Sequence, residues 1–106
     1  MELGIVITTN EPETVWNAFR LANFSRSKGD EVSIFLVGKG VEYGKTSGGK
    51  FDAVAEVGKL VQAGGKIMAC GTCLELRGEK GGALCPMSSL KDLYALVEKS
   101  DRVVTF

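Results

Sequence analysis

The feature that most constrains the fold is the alternation of short apolar runs with segments of helical periodicity. Four strand-like runs are rich in β-branched and aliphatic residues: 3–8, 31–37, 66–70 and 102–106. Helical patterns fill the intervals: 12–28, 51–63, the shorter 71–77, and a stretch that begins at Ser88 or Ser89. This alternation indicates a parallel sheet covered by helices. We therefore predict an α/β three-layer sandwich, with a mostly parallel four- to five-stranded sheet and helices on both faces.

The chain of 106 residues is long enough for one hydrophobic core, and we expect a single domain over 1–106. Core-facing positions recur three and four residues apart in the first helix, at Val15, Ala18, Phe19 and Ala22. The same spacing predicts core positions in the last helix, at Leu90, Leu93, Tyr94 and Val97. In sheets of this kind ligands bind beyond the carboxyl ends of the strands. We expect Thr9-Asn10, the segment 38–50 and Cys70 to meet at that edge.

The charge balance argues against a nucleic-acid-binding role. Thirteen basic residues offset thirteen acidic ones, and no basic stripe stands out. No apolar stretch reaches the roughly 18 residues that a membrane span needs, so we expect no membrane association. The first residues lack the basic region of a signal peptide, and three cysteines cannot all pair. We therefore expect a cytoplasmic protein with free thiols.

The sequence contains no histidine. This removes Ser-His and Cys-His hydrolase mechanisms and most transition-metal sites. A nucleophile in this chain must be activated by backbone amides, by a cation or by its own low pKa.

The glycine-rich segment 38–50 resembles a phosphate-binding loop only superficially. That motif needs a glycine five positions before its second glycine, and the position five before Gly44 is Lys39. We interpret the segment as a surface loop, with an active-site flap or a subunit contact as the functional alternatives.

The cysteines give two further candidates. Cys70 and Cys73 have zinc-knuckle spacing, and Cys85 could add a third ligand, but structural zinc normally takes four ligands. A reactive thiol fits better, because Cys70 ends a predicted strand and precedes a predicted helical turn. Amides at such a turn favour a thiolate, so we expect a lowered pKa for Cys70, helped by Arg77 and by Lys45 or Lys50.

The segment 69–78, which reads ACGTCLELRG, resembles the DsrE/DsrF-like family, which includes the Tus sulfur-relay subunits. In that family a strand leads to a cysteine, and an Arg-Gly pair follows a short helical stretch. The resemblance covers essentially the whole chain, including Gly40-Val41 after the second strand and Asp101 before the last.

The resemblance implies a trimeric or hexameric oligomer that carries sulfur as a persulfide between donor and acceptor proteins. The carrying cysteine then matches Cys70, and the Arg-Gly pair matches Arg77-Gly78. The residues themselves leave two roles open for Cys73, a resolving thiol or a core position. Persulfide exchange needs neither a metal nor an organic cofactor. Two alternatives stay open: a dithiol redox protein that cycles Cys70 and Cys73, and a non-catalytic oligomeric module that binds a small ligand or partner.

Overall fold

The computed structural model describes residues 1–45, 47–82 and 85–106. Thr46 of the glycine-rich segment, and residues 83 and 84 of the stretch before the last helix, lie outside the described residues. The strands are β1 Glu2–Ile7, β2 Glu31–Leu36, β3 Lys66–Cys70, β4 Met87–Ser88 and β5 Arg102–Thr105. The helices are α1 Pro12–Ser27, α2 Ala53–Gln62, α3 Gly71–Leu76 and α4 Leu90–Lys99, and a 3-10 turn spans Gly38–Glu42.

The five strands form one sheet in the order β4-β3-β2-β1-β5, and each neighbouring pair is parallel. The predicted α/β architecture and strand number are therefore confirmed. β4 lies in a stretch where no strand was predicted; it is two residues long and exists through its pairing with the end of β3. None of the helices within the described ranges combines the length and apolar character that a bilayer crossing requires.

The main core lies between the sheet and helices α1 and α2. Ile5, Ile34 and Ile67 are partners across β1, β2 and β3, and they are almost completely buried. The predicted stripe of α1 packs onto this face: Val15, Ala18, Phe19 and Ala22 all have no exposed surface. α1 starts where the carboxylate of Glu11 accepts hydrogen bonds from the amides of Glu13 and Thr14.

The opposite face is covered by α4, and here the predicted core positions are partly wrong. Leu93 is partly buried, but Leu90, Tyr94 and Val97 are 67%, 68% and 50% exposed. The buried residue is Leu96, which packs over Gly4; a Cβ on Gly4 would lie 2.5 Å from the Leu96 Cδ2 atom. α4 carries two adjacent apolar stripes, and the chain by itself buries the one that contains Leu93 and Leu96.

The carboxyl ends of β1, β2 and β3 meet at one edge, as expected. The turn Gly38–Glu42 follows β2 and presses against the end of β1, where a Cβ on Gly40 would lie 2.1 Å from the carbonyl oxygen of Ile7. Asn10 donates a hydrogen bond to the carboxylate of Glu42 at 3.3 Å. This packing fixes the turn beside the cysteines that follow β3.

Candidate thiol site

Cys70 is the last residue of β3 and the N-cap of α3. Its sulfur accepts a hydrogen bond from the backbone amide of Cys73 at 3.4 Å. The residue is buried, with 6% of its surface exposed. The predicted place of Cys70, at a strand end and before a helical turn, is therefore correct, but its thiol is shielded from solvent.

Cys73 lies one helical turn further on, so its side chain is on the same side of α3 as the Cys70 thiol. It is partly exposed, whereas Cys70 and Cys85 are buried. The backbone amide of Gly38 donates a hydrogen bond to the Cys73 sulfur at 3.2 Å. Gly38 has a φ of 58°, a conformation that glycine adopts without strain and that starts the turn after β2. A residue 35 positions away in the sequence thus completes the site.

The pKa values of the two neighbouring thiols move in opposite directions. Burial raises the pKa of Cys70, and the hydrogen bond that it shares with Cys73 raises it further. Burial also opposes ionisation of Cys73. However, the Cys70 thiol, the Gly38 amide and the charge of Arg77 together outweigh burial and lower the Cys73 pKa. The pair therefore carries its first negative charge on Cys73, with the remaining proton on Cys70.

This result corrects the expectation that the helical turn lowers the pKa of Cys70. The amides of Cys73 and Thr72 do act in that direction, but burial of the sulfur has the larger effect. The sequence shows the amides of the turn but not how deeply the sulfur lies. The preferred thiolate is consequently three residues downstream of the predicted one.

Arg77 approaches Cys73 from the end of α3. Its Nη1 atom donates to the carbonyl oxygen of Cys73 at 3.1 Å, and its Nε atom lies 3.5 Å from a carboxylate oxygen of Glu42. The expected cation is therefore present near the thiols. Lys45 instead pairs with Glu79 at 2.8 Å and with Glu42 at 3.7 Å, while Lys50 is exposed.

Cys85 lines a separate cavity of about 330 Å³. Apolar side chains form much of its wall: Val41, Tyr43, Ala69 and Leu74. Burial raises the pKa of Cys85 to about 11, so this thiol stays protonated at neutral pH. Among the described residues, no group of three or more His, Cys, Asp or Glu side chains is arranged to hold a metal ion.

Two members of the site, the Gly38 amide and the Glu42 carboxylate, were not predicted from the sequence. The Gly38 amide has no side-chain signature, and the only hint was a glycine directly after a predicted strand. Glu42, which contacts both Arg77 and Lys45, gave no signal beyond its place in the segment 38–50. Both belong to the segment 38–50, which we interpreted as a surface loop and whose first part is the turn packed against the site.

Comparison with known proteins gives a family and two relatives. The profile of the DsrE/DsrF-like family matches residues 1–106. An uncharacterized protein of Methanocaldococcus jannaschii is 33% identical over 110 residues, covering 95% of this chain and 96% of its own length. An uncharacterized protein of Methanopyrus kandleri is 33% identical over 101 residues, covering 89% of this chain and 83% of its own.

Proposed function

The chain belongs to the DsrE/DsrF-like family, and on this premise we propose that it is a sulfur-relay carrier, which holds a persulfide on Cys70 and passes it to a partner thiol. The observation that carries the proposal is the pair of free cysteines, Cys70 and Cys73, at the carboxyl edge of the sheet, where the Cys73 amide donates a hydrogen bond to the Cys70 sulfur. Persulfide exchange requires a thiolate, an accessible sulfur and a partner thiol, and this site offers the first two.

The burial of Cys70 suits a storage position. A terminal persulfide sulfur is attacked by any thiol that reaches it, so its lifetime depends on restricted access. Cys70 is 6% exposed, and Cys73 lies between it and the turn after β2. The donor and the acceptor are then proteins with their own reactive cysteines, and the free thiols suit the reducing cytoplasm.

Intact-protein mass spectrometry after incubation with glutathione persulfide tests this function. We expect wild type to gain one sulfur and to keep it during a brief chase with free glutathione. Cys70→Ser should lose its sulfur in the chase, because glutathione can reach a persulfide on the partly exposed Cys73. A Cys85→Ser control should behave as wild type. Retention of sulfur by Cys70→Ser, or no gain by wild type, would contradict the proposal.

A dithiol redox protein is the second candidate, because the two thiols are three residues apart and lie on the same side of α3. The same spectra distinguish it. A mass loss of two hydrogens that requires both Cys70 and Cys73, without any sulfur gain, would favour redox cycling. A lack of either change would favour a binding module.

We also propose a homo-oligomer, a trimer or a hexamer, formed through α4. Its exposed apolar residues Leu90, Tyr94 and Val97 recur at helical spacing, and Val103 of β5 is 41% exposed on the same face of the sheet. A Tyr94→Lys substitution should shift sedimentation velocity toward the monomer, because a buried lysine charge opposes association. Val54→Lys, on the opposite side, is the control; an unchanged sedimentation coefficient for Tyr94→Lys would exclude this surface.

A further inference from the structure

The two thiols of the site differ in their access to solvent and in their hydrogen bonds. Cys73 is partly exposed, and its sulfur accepts a hydrogen bond from the Gly38 amide at 3.2 Å. Cys70 is buried, and its sulfur accepts a hydrogen bond from the Cys73 amide at the longer distance of 3.4 Å. An incoming persulfide therefore meets Cys73 first.

A negative charge is also better stabilised on the Cys73 sulfur than on the Cys70 sulfur. The Gly38 amide belongs to the turn after β2. Arg77 is held by contacts to the Cys73 carbonyl and to Glu42. These groups belong to two elements that pack together, the turn Gly38–Glu42 and α3, so they are in position before any partner arrives.

From this arrangement we infer that sulfur enters and leaves the carrier through Cys73, and that Cys70 receives it from Cys73 for storage. The inference rests on the proposed sulfur-relay function and adds a second catalytic residue to it. Cys73 then acts as an exchange thiol, rather than as a resolving thiol that expels the sulfur.

The two steps balance without an added oxidant or reductant. The Cys73 thiolate attacks the outer sulfur of a donor persulfide; a new S–S bond forms, the donor S–S bond breaks, and the donor cysteine leaves as a thiolate. The Cys70 sulfur then attacks the outer sulfur of the Cys73 persulfide. Its proton passes to the departing Cys73 sulfur, which leaves as a thiol. The products are a Cys70 persulfide and a Cys73 thiol that can ionise again.

The initial rate of sulfur uptake from glutathione persulfide tests the route, with alkylation and peptide mapping to locate the sulfur. We expect Cys73→Ser to slow uptake by about tenfold or more, because a protonated thiol must then act alone, and only a few per cent of an ordinary thiol is ionised near pH 7. Cys70→Ser should still take up sulfur, and peptide mapping should locate that sulfur on Cys73. Cys85→Ser, which changes the cavity cysteine, is the matched control.

The pH dependence of the uptake rate is a second measurement, and it would not change if Arg77 had a purely structural role. Arg77→Gln should shift the rise of the uptake rate to higher pH, because loss of the positive charge raises the pKa of Cys73; Arg77→Lys should restore part of the shift. Absence of uptake by wild type would overturn the sulfur-relay function and this route with it. Uptake by wild type and by Cys73→Ser at equal rates would overturn the route alone.

Discussion

A Gly40→Ala substitution is expected to destabilise the fold and to disrupt the thiol site at the same time. A Cβ at this position would lie 2.1 Å from the carbonyl oxygen of Ile7 and 2.8 Å from its carbon. These are backbone atoms of a buried strand, so no side-chain rotation relieves the clash. Overpacking of this kind costs about 1–3 kcal/mol or more.

The damage should reach the thiols because the turn would have to move away from β1. That turn supplies the Gly38 amide for the Cys73 sulfur and the Glu42 carboxylate for Arg77. Urea unfolding should show the loss of stability, and alkylation at neutral pH should show a slower Cys73. Both changes are expected in the same variant because Gly40 positions both groups.

Gly58→Ala is the matched control for this prediction. Gly58 lies inside α2, and a Cβ there would meet no atom within 4 Å. Alanine should stabilise the helix by about 0.5–1 kcal/mol and leave Cys73 unchanged. If Gly40→Ala were as stable as wild type and its Cys73 as reactive, the turn would not be held in the way described.

The repeated strand-helix pattern was sufficient to predict the architecture, because buried parallel strands and amphipathic helices have distinct periodicities. The pattern could not choose between the two apolar stripes of α4. Leu93 and Leu96 face the sheet, while Tyr94 and Val97 are exposed, and both choices satisfy helical spacing. The two-residue β4 had no local signal either, because it is defined by its pairing with Ala69 and Cys70.

The position of the candidate site could be predicted from the sequence, but which of its two thiols ionises first could not. Cys70 could be identified because it ends a predicted strand and precedes a short helix. Arg77 is seven residues further along the chain, and α3 brings its side chain to the carbonyl oxygen of Cys73. Which thiol ionises depends on burial and on the amide of Gly38, which is distant in sequence. Such long-range effects appear only once the strands are placed side by side.

Replacing Cys70 by alanine is expected to raise the pKa of Cys73 more than Arg77→Gln does. Among the groups that favour the Cys73 thiolate, the Cys70 thiol contributes most, ahead of the Gly38 amide and the charge of Arg77. Alanine cannot donate a hydrogen bond, so the thiolate loses that support. A raised pKa leaves less Cys73 thiolate at neutral pH, so alkylation of Cys73 slows.

The measurement is the pH dependence of Cys73 alkylation by iodoacetamide, with peptide mapping to separate the three cysteines. The midpoint of the profile should lie at higher pH in Cys70→Ala than in wild type. The midpoint of Cys70→Ser should lie much closer to that of wild type, because a hydroxyl at the same position still donates a hydrogen bond. If alanine and serine gave the wild-type midpoint alike, the two thiols would titrate independently, and Cys70 would have no part in activating Cys73.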